Sequence, residues 1–328
     1  MRIDKNWLII ILAVLISTVA VWRAVGLKTI YQNFDGPYYL AVARSWYDQA
    51  TLGKYFSFPV PLEYYPAHFP LYPFAIRLIS WLPFLNPLRA MLIINLLATI
   101  ATSIVLFEIL KTKKIPRALF LSISFLFLWP RMWAVRSIGS PETLFILWIL
   151  LSLKYFDLKK YWLAGIFGSL AVLTKSPGIL LLPTYLIAAK FDKKIWPTLL
   201  IPISLLLLFT FFKIQTGDFW AYFHSGDNIH LQATPFKIFD SNQPWVGSFW
   251  LEDILWIYLI GGLGVYYAWK KDRLWGIFGL VYYTVIIFVS HRDISRYSLP
   301  LIPIILFGLS DLFKRKEIRI DLILLIIP

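Results

Sequence analysis

The sequence has no cysteine, which excludes disulfides, a thiol nucleophile and any cysteine-bound metal. It is also poor in charge. Only 15% of residues are Asp, Glu, Lys or Arg, 59% are hydrophobic, and mean hydropathy is +0.68. No polar stretch is long enough to bury a core of its own, so no soluble domain separates from the rest. No internal repeat is visible. What remains is a succession of long apolar runs, the mark of a polytopic membrane protein. Residues 1–328 are expected to form a single integral-membrane domain, an all-α transmembrane helical bundle of about ten spans.

Acids are scarcer than bases: 18 Asp and Glu against 32 Lys and Arg, a formal net charge of +14. That balance can signal nucleic acid. Here, however, the cations sit in short groups between apolar runs, the pattern of cytoplasmic loops, so no nucleic acid is expected. The spans fall roughly at 7–25, 88–110, 118–130, 142–156, 161–174, 177–189, 195–212, 254–269, 274–290 and 297–313. The clusters Arg2/Lys5, Lys111/Lys113/Lys114/Arg117, Lys154/Lys159/Lys160, Lys190/Lys193/Lys194, Lys270/Lys271/Arg273 and Lys314/Arg315/Lys316/Arg319 then share one side. They hold more than half of the Lys and Arg. The positive-inside rule makes that side, and the N-terminus, cytoplasmic. The first apolar run, from Trp7 to about Val25, nears the ~20 residues of a span and reads as an uncleaved helix, not a signal peptide. The opposite face carries two long polar segments, about 27–87 and 213–253. Loops of this length are usually functional, so the active face is expected outside a plasma membrane. The tail from Ile320 to Pro328 is too short to span and is expected to be either a clipped last helix or the end of a truncated reading frame.

Several runs are short. Tyr161 to Thr174 is 14 residues, roughly 21 Å of helix against roughly 30 Å of hydrocarbon. Thr174 to Gly178 is therefore expected to be a turn sunk below the outer surface, and the short run ending at Pro130 sinks Arg131 likewise. Irregular backbone at that depth is tolerated only beside protein or a water-filled cavity. Local bilayer thinning is the plainer alternative. An outward-facing cavity with cations near its floor is expected.

The candidate chemical groups lie at the outer ends of the spans. Asp35 precedes Gly36 and Pro37 and an amphipathic helical pattern, so it could cap that helix, serve as a base, or do both. The segment with Pro59, Pro61, Pro66, Pro70 and Pro73 is expected to be stiff and extended. It contains Glu63 and His68, each of a type more often at the surface than in a site. Ser140, Pro141 and Glu142 read as a helix start, Glu142 favouring the dipole. Arg131, Arg136, Lys175, Arg292 and Arg296 defy the positive-inside bias and each needs an anion. Carboxylates such as Glu142 and Asp293, or a phosphate, could supply it. The second long loop holds His224, Asp227 and His230, whose spacing matches no strong metal signature, and no metal is assigned. Its aromatics, including Trp220, Tyr222, Phe223, Trp245 and Trp250, suit sugar stacking, headgroups or plain packing.

Taken in order, FDGPYYLAVA, YYPAHFPLYP, SPETLF, LAGIFGSLAVLTKSPGILLLP, TGDFWAYFHSGD and SRYSLPLIP make up about a fifth of the chain, spread from Phe34 to Pro303. In this order they resemble the type C (GT-C) glycosyltransferase superfamily, nearest its polyprenyl- or dolichyl-phosphate-sugar-dependent, mannosyltransferase-like branch. The resemblance implies a catalytic acid in the first outer loop, which maps to Asp35, and a lipid-linked sugar donor. The expected activity is inverting hexosyl transfer, with cell-envelope glycosylation as its setting. The sugar would pass from a polyprenyl phosphate, held in membrane lipid, to a hydroxyl on a glycan, lipid or protein. Arg131, Arg136, Glu142, Lys175, Arg292, Arg296, His68 and Glu63 are the candidate substrate-binding set. No cofactor is required, though a divalent cation is compatible with this chemistry. The absence of a separate soluble domain leaves the acceptor undefined. A transporter or flippase of a lipid-linked sugar would use the same cavity and cations, though transporters tend to carry repeats and midplane charges. A non-catalytic scaffold would leave the sunken cations without a purpose.

Overall fold

The apolar runs become helices, and among the described residues there is no strand. The computed structural model describes residues 4–243, 245–246 and 250–326. Arg2 of the first basic cluster, positions 244 and 247–249 of the second long loop, the Trp250 side chain and positions 327–328 lie outside that description.

Among the described residues, four helices are long and apolar enough to cross a membrane: Lys5–Val25, Pro87–Thr112, Lys193–Thr216 and Ile294–Lys314. This marks the chain as a membrane protein. A fifth candidate is a broken pair, Ala118–Phe127 and Pro130–Ser137, bent by 77°. Trp129 explains the bend. A residue before proline is pushed out of the helical region, and its φ of −109° and ψ of 116° are extended. Shorter apolar helices fill the gaps, among them Glu142–Asp157, Tyr161–Thr174 and Arg273–Phe288.

Local chemistry sets the helix ends. Asn86 accepts from the Arg89 N–H at 2.9 Å, and Pro87 follows in the first turn. Gly217, with φ +80°, closes the Lys193–Thr216 helix, its N–H donating to the Lys213 carbonyl at 3.0 Å. The outer faces of these helices are apolar and open: Ile16, Leu207 and Ile214 are 68%, 64% and 73% exposed. In water such faces would aggregate; in hydrocarbon they cost nothing.

Inside lipid, helices associate through close packing rather than water expulsion. The Trp250–Lys271 helix crosses Ile294–Lys314 at Gly264 and Gly308, where a β-carbon on Gly264 would stand 2.8 Å from the Ile305 Cα. The turn after Tyr161–Thr174 is as tight: a β-carbon on Gly178 would come within 2.5 Å of the Val172 nitrogen.

In the first long segment the helix expected after Asp35 is present, but the proline-rich stretch is not extended. Gly36–Ser45 and Leu71–Ile79 are α-helices, and Leu62–Ala67 is a 3-10 turn with Pro66 inside it. Proline's fixed φ suits a 3-10 turn as well as an extended chain, so composition alone misleads there. Ala41, Val42, Tyr47, Leu52, Tyr65 and Phe69 bury against Phe209, Phe212 and Tyr222. The segment is thereby seated on the end of the Lys193–Thr216 helix.

Candidate functional site

Asp35 stands at the N-cap position of Gly36–Ser45, but its side chain makes no capping bond. Its backbone carbonyl accepts from the Tyr38 and Tyr39 N–H groups at 2.9 and 3.0 Å. The carboxylate turns instead to Arg296, whose Nη1 donates to Oδ2 at 2.6 Å. Among the described residues Oδ1 has no hydrogen-bond partner.

Phe34, the preceding residue, has φ of +51°, in the left-handed region that costs a non-glycine residue roughly 1 kcal/mol or more. The strain places its ring under two cations. The Arg131 and Arg296 guanidinium carbons lie 5.1 and 5.7 Å from the ring centroid.

Arg296 is shared. Its Nε donates to Glu142 Oε1 at 2.5 Å, and Lys175 Nζ donates to the same oxygen at 2.7 Å. Ser140 Oγ donates to the other carboxylate oxygen. Ser140 thus holds the carboxylate rather than capping the helix backbone. Glu142 is 2% exposed. A carboxylate this deep is tolerable only with such compensation. The result is a chain of alternating charge, Asp35–Arg296–Glu142–Lys175, drawn from four separate elements. Arg131 pairs separately, Nη2 to Asp293 Oδ1 at 2.6 Å, and its Nε donates to Ser295 at 3.1 Å.

These groups line a cavity of about 770 Å³ bounded by Asp35, His68, Arg131, Lys175, Arg292, Asp293 and Arg296. Arg292 is exposed and, among the described residues, has no ion pair. His68 is 2% exposed, caged by the rings of Tyr38, Tyr39 and Tyr64 at centroid distances of 4.8–5.4 Å. Its Nδ1 is buried without a hydrogen-bond partner among the described residues. Burial pushes its imidazole below the ordinary histidine range, against the pull of Asp35 and Asp227.

Two members of the candidate set lie elsewhere. Glu63 is exposed on the 3-10 turn and does not line the cavity. Arg136 is 1% exposed, yet it is sealed into the bundle. Its guanidinium donates to Thr18 Oγ1 at 2.9 Å, Ser17 Oγ at 3.0 Å and the Leu126 carbonyl at 3.1 Å. It satisfies an end carbonyl of the Ala118–Phe127 helix where the pair bends, a role for a cation at a helix C-terminus. Nearness to a span end does not tell a cavity-facing arginine from a bundle-facing one.

The second loop closes one wall of the cavity. Asp227 accepts from the Tyr64 hydroxyl at 2.8 Å and faces His230 Nε2 at 3.3 Å. Burial would raise its carboxyl, but these partners outweigh burial and hold it below the usual carboxylate range. His224, paired in the sequence reading with His230, turns away and contacts Asp218 at 2.6 Å. Its place is taken by His291, whose ring stacks on His230 at 4.6 Å. His291 was not foreseen, because only the folded chain brings it to the loop. Backbone pairing does so: Leu231 bridges Val289, Gln232 N–H donates to the Phe288 carbonyl at 2.9 Å, and Ser290 N–H to the His230 carbonyl at 3.1 Å.

A second hollow, of about 720 Å³, is apolar: Trp129, Trp256, Ile260, Leu306 and Phe313 are among its walls. Arg131 lines both spaces. One charged chamber and one apolar groove therefore share a guanidinium. Such an arrangement can hold an amphiphile with an anionic group between a polar and a hydrocarbon part.

No protein-family model matches the chain, and no curated protein matches it either.

Proposed function

We propose that the protein is a membrane glycosyltransferase that moves a mannose-like hexose from a polyprenyl-phosphate donor to an acceptor hydroxyl outside the cell. The observation that carries this reading is Arg131, common to the charged cavity and the apolar groove. Phosphate would sit at Arg131 and Arg292, the prenyl chain in the groove, and the sugar in the cavity beside the aromatic cage around His68. Planar guanidinium donors match phosphate oxygens, and Arg131 can trade Asp293 for such an anion.

Asp35 is the base. Arg296 holds one carboxylate oxygen, leaving Oδ1 to take a proton. The acceptor oxygen attacks the anomeric carbon from the face opposite the phosphate, its proton passing to Oδ1. The anomeric C–O bond to phosphate breaks with its electron pair, and polyprenyl phosphate leaves with inverted configuration at carbon. Phosphate leaves readily, so a carboxylate suffices as base. In this reading the helices cross the membrane about ten times, with the N-terminus cytoplasmic and the cavity opening outward from the plasma membrane. The short helices border the cavity, and the segment around 213–253 covers it and excludes water.

Comparative mass spectrometry of lipid-linked sugars and glycans, with and without the chain, tests the reading. Accumulation of one polyprenyl-phosphate hexose and loss of its glycosylated product is expected. Loss of transbilayer donor movement in proteoliposomes, with no transfer detected, would contradict it and favour a transporter.

A further inference from the structure

We propose that Asp227, His230 and His291 form a binding site for one divalent transition-metal ion of the zinc type, set in the wall of the cavity. One ligand atom from each lies within 4.8 Å of the others. A tetrahedral zinc ion with ~2.0–2.1 Å bonds sets its ligands roughly 3.4 Å apart, so modest side-chain rotation completes the set. Two imidazoles, borderline nitrogen donors beside one carboxylate, favour zinc over magnesium or calcium, which prefer all-oxygen shells.

Three features separate this cluster from an ordinary hydrogen-bonded one. The His230–Asp227 contact, at 3.3 Å, is long for a charge-assisted bond. The two rings stack without a hydrogen bond between them. The backbone pairing of Leu231 with Val289 holds both histidine-bearing segments in register without using either side chain. Tyr64 supplies the outer partner that orients a ligating carboxylate, on Asp227 Oδ2 at 2.8 Å.

His291 constrains the loading. Its Nδ1 accepts from the Asp293 N–H at 2.9 Å, so the neutral ring carries its proton on Nε2. Coordination through Nδ1 takes its lone pair from the amide to the metal. Asp293 also holds Arg131 at 2.6 Å, so loading is felt at the arginine shared by the two hollows. Three protein ligands leave a coordination position open. Asp227 and His291 both line the cavity, so a water or an anionic oxygen from a ligand can fill it. The site stands independently of whether Asp35 moves a sugar.

The test is isothermal titration of zinc chloride into the full chain, purified in detergent and stripped with chelator. One equivalent is expected to bind, at least tenfold more weakly in a His230→Ala/His291→Ala variant and unchanged in His224→Ala. Absence of stoichiometric binding by the natural chain, equal affinity for magnesium, or binding untouched by the double substitution would each overturn the proposal. If the double variant loses its cooperative melt, cobalt is added to the natural chain instead. Visible absorption bands of a low-coordinate nitrogen- and oxygen-ligated cobalt ion support the site, and their absence overturns it.

Discussion

Among the described residues, Arg136 is buried and Arg296 is mostly covered, and the two are held in opposite ways. Arg296 meets two carboxylates, Asp35 and Glu142, and borders a chamber. Among the described residues Arg136 meets two hydroxyls and a carbonyl, with no acid among its partners, and it lines neither hollow. The first is part of a charge relay whose end oxygen is open. The second is a staple, tying the Lys5–Val25 helix to the bend between two others. Burial of a cation therefore does not by itself mark a site. What marks one is the sign of its partners and the presence of a space into which a ligand could bring more charge.

The contrast can be broken from the Arg296 side with the larger effect. Glu142→Gln leaves Lys175 and Arg296 sharing one carboxylate fewer in a buried setting. A loss of about 3–5 kcal/mol is expected, the usual consequence of removing one partner of a buried pair. Denaturant unfolding in detergent measures it, and a loss under ~1 kcal/mol would mean that water already compensates the two cations. Arg136→Met is expected to cost less, about 1–3 kcal/mol. It unpairs the Leu126 carbonyl but also removes a charge buried without an anion. Donor binding should be unchanged in this variant. Weakened binding with an intact fold would return Arg136 to the site.

A smaller effect sharpens the comparison through pH. The folded state favours neutral His68, because burial lowers its proton affinity. The unfolded chain takes up the proton at the ordinary histidine value of about 6.5. Stability is then fully present above that value and is lost as pH falls below it toward the depressed folded value. Melting temperatures followed from pH 7.5 to 5 should fall more steeply for the natural chain than for His68→Gln. Parallel slopes would mean that His68 is solvated in the folded state.

Much of this architecture could be read from the sequence. The helices lie within a few residues of the apolar runs, because Pro87, Pro130 and Gly217 punctuate them and apolar length does the rest. Their orientation about their own axes could not be read. Helices that are apolar all round carry no stripe to say which face meets neighbours, so Arg136 and Arg131 looked alike. Nor could pairing at a distance be read. Asp35 and Arg296 are separated by 261 positions, and Glu142 and Arg296 by 154. Those bonds depend on how four elements converge, which no local spacing encodes. His291 was hidden for the same reason, brought to His230 by backbone pairing rather than by motif. Asp35 was legible as a group worth watching, although its cap role was not realised and its partner was unforeseen.

The central claim is that Asp35 keeps one oxygen free to receive a proton while Arg296 fixes the other. Its most direct measurement is sugar transfer by Asp35→Asn in proteoliposomes supplied with a polyprenyl-phosphate sugar. The amide oxygen can still accept from Arg296, so the fold and donor binding should survive. Transfer should fall by roughly 10²-fold or more, the share a positioned base commonly supplies. Turnover close to that of the natural chain, with donor bound, would contradict the account.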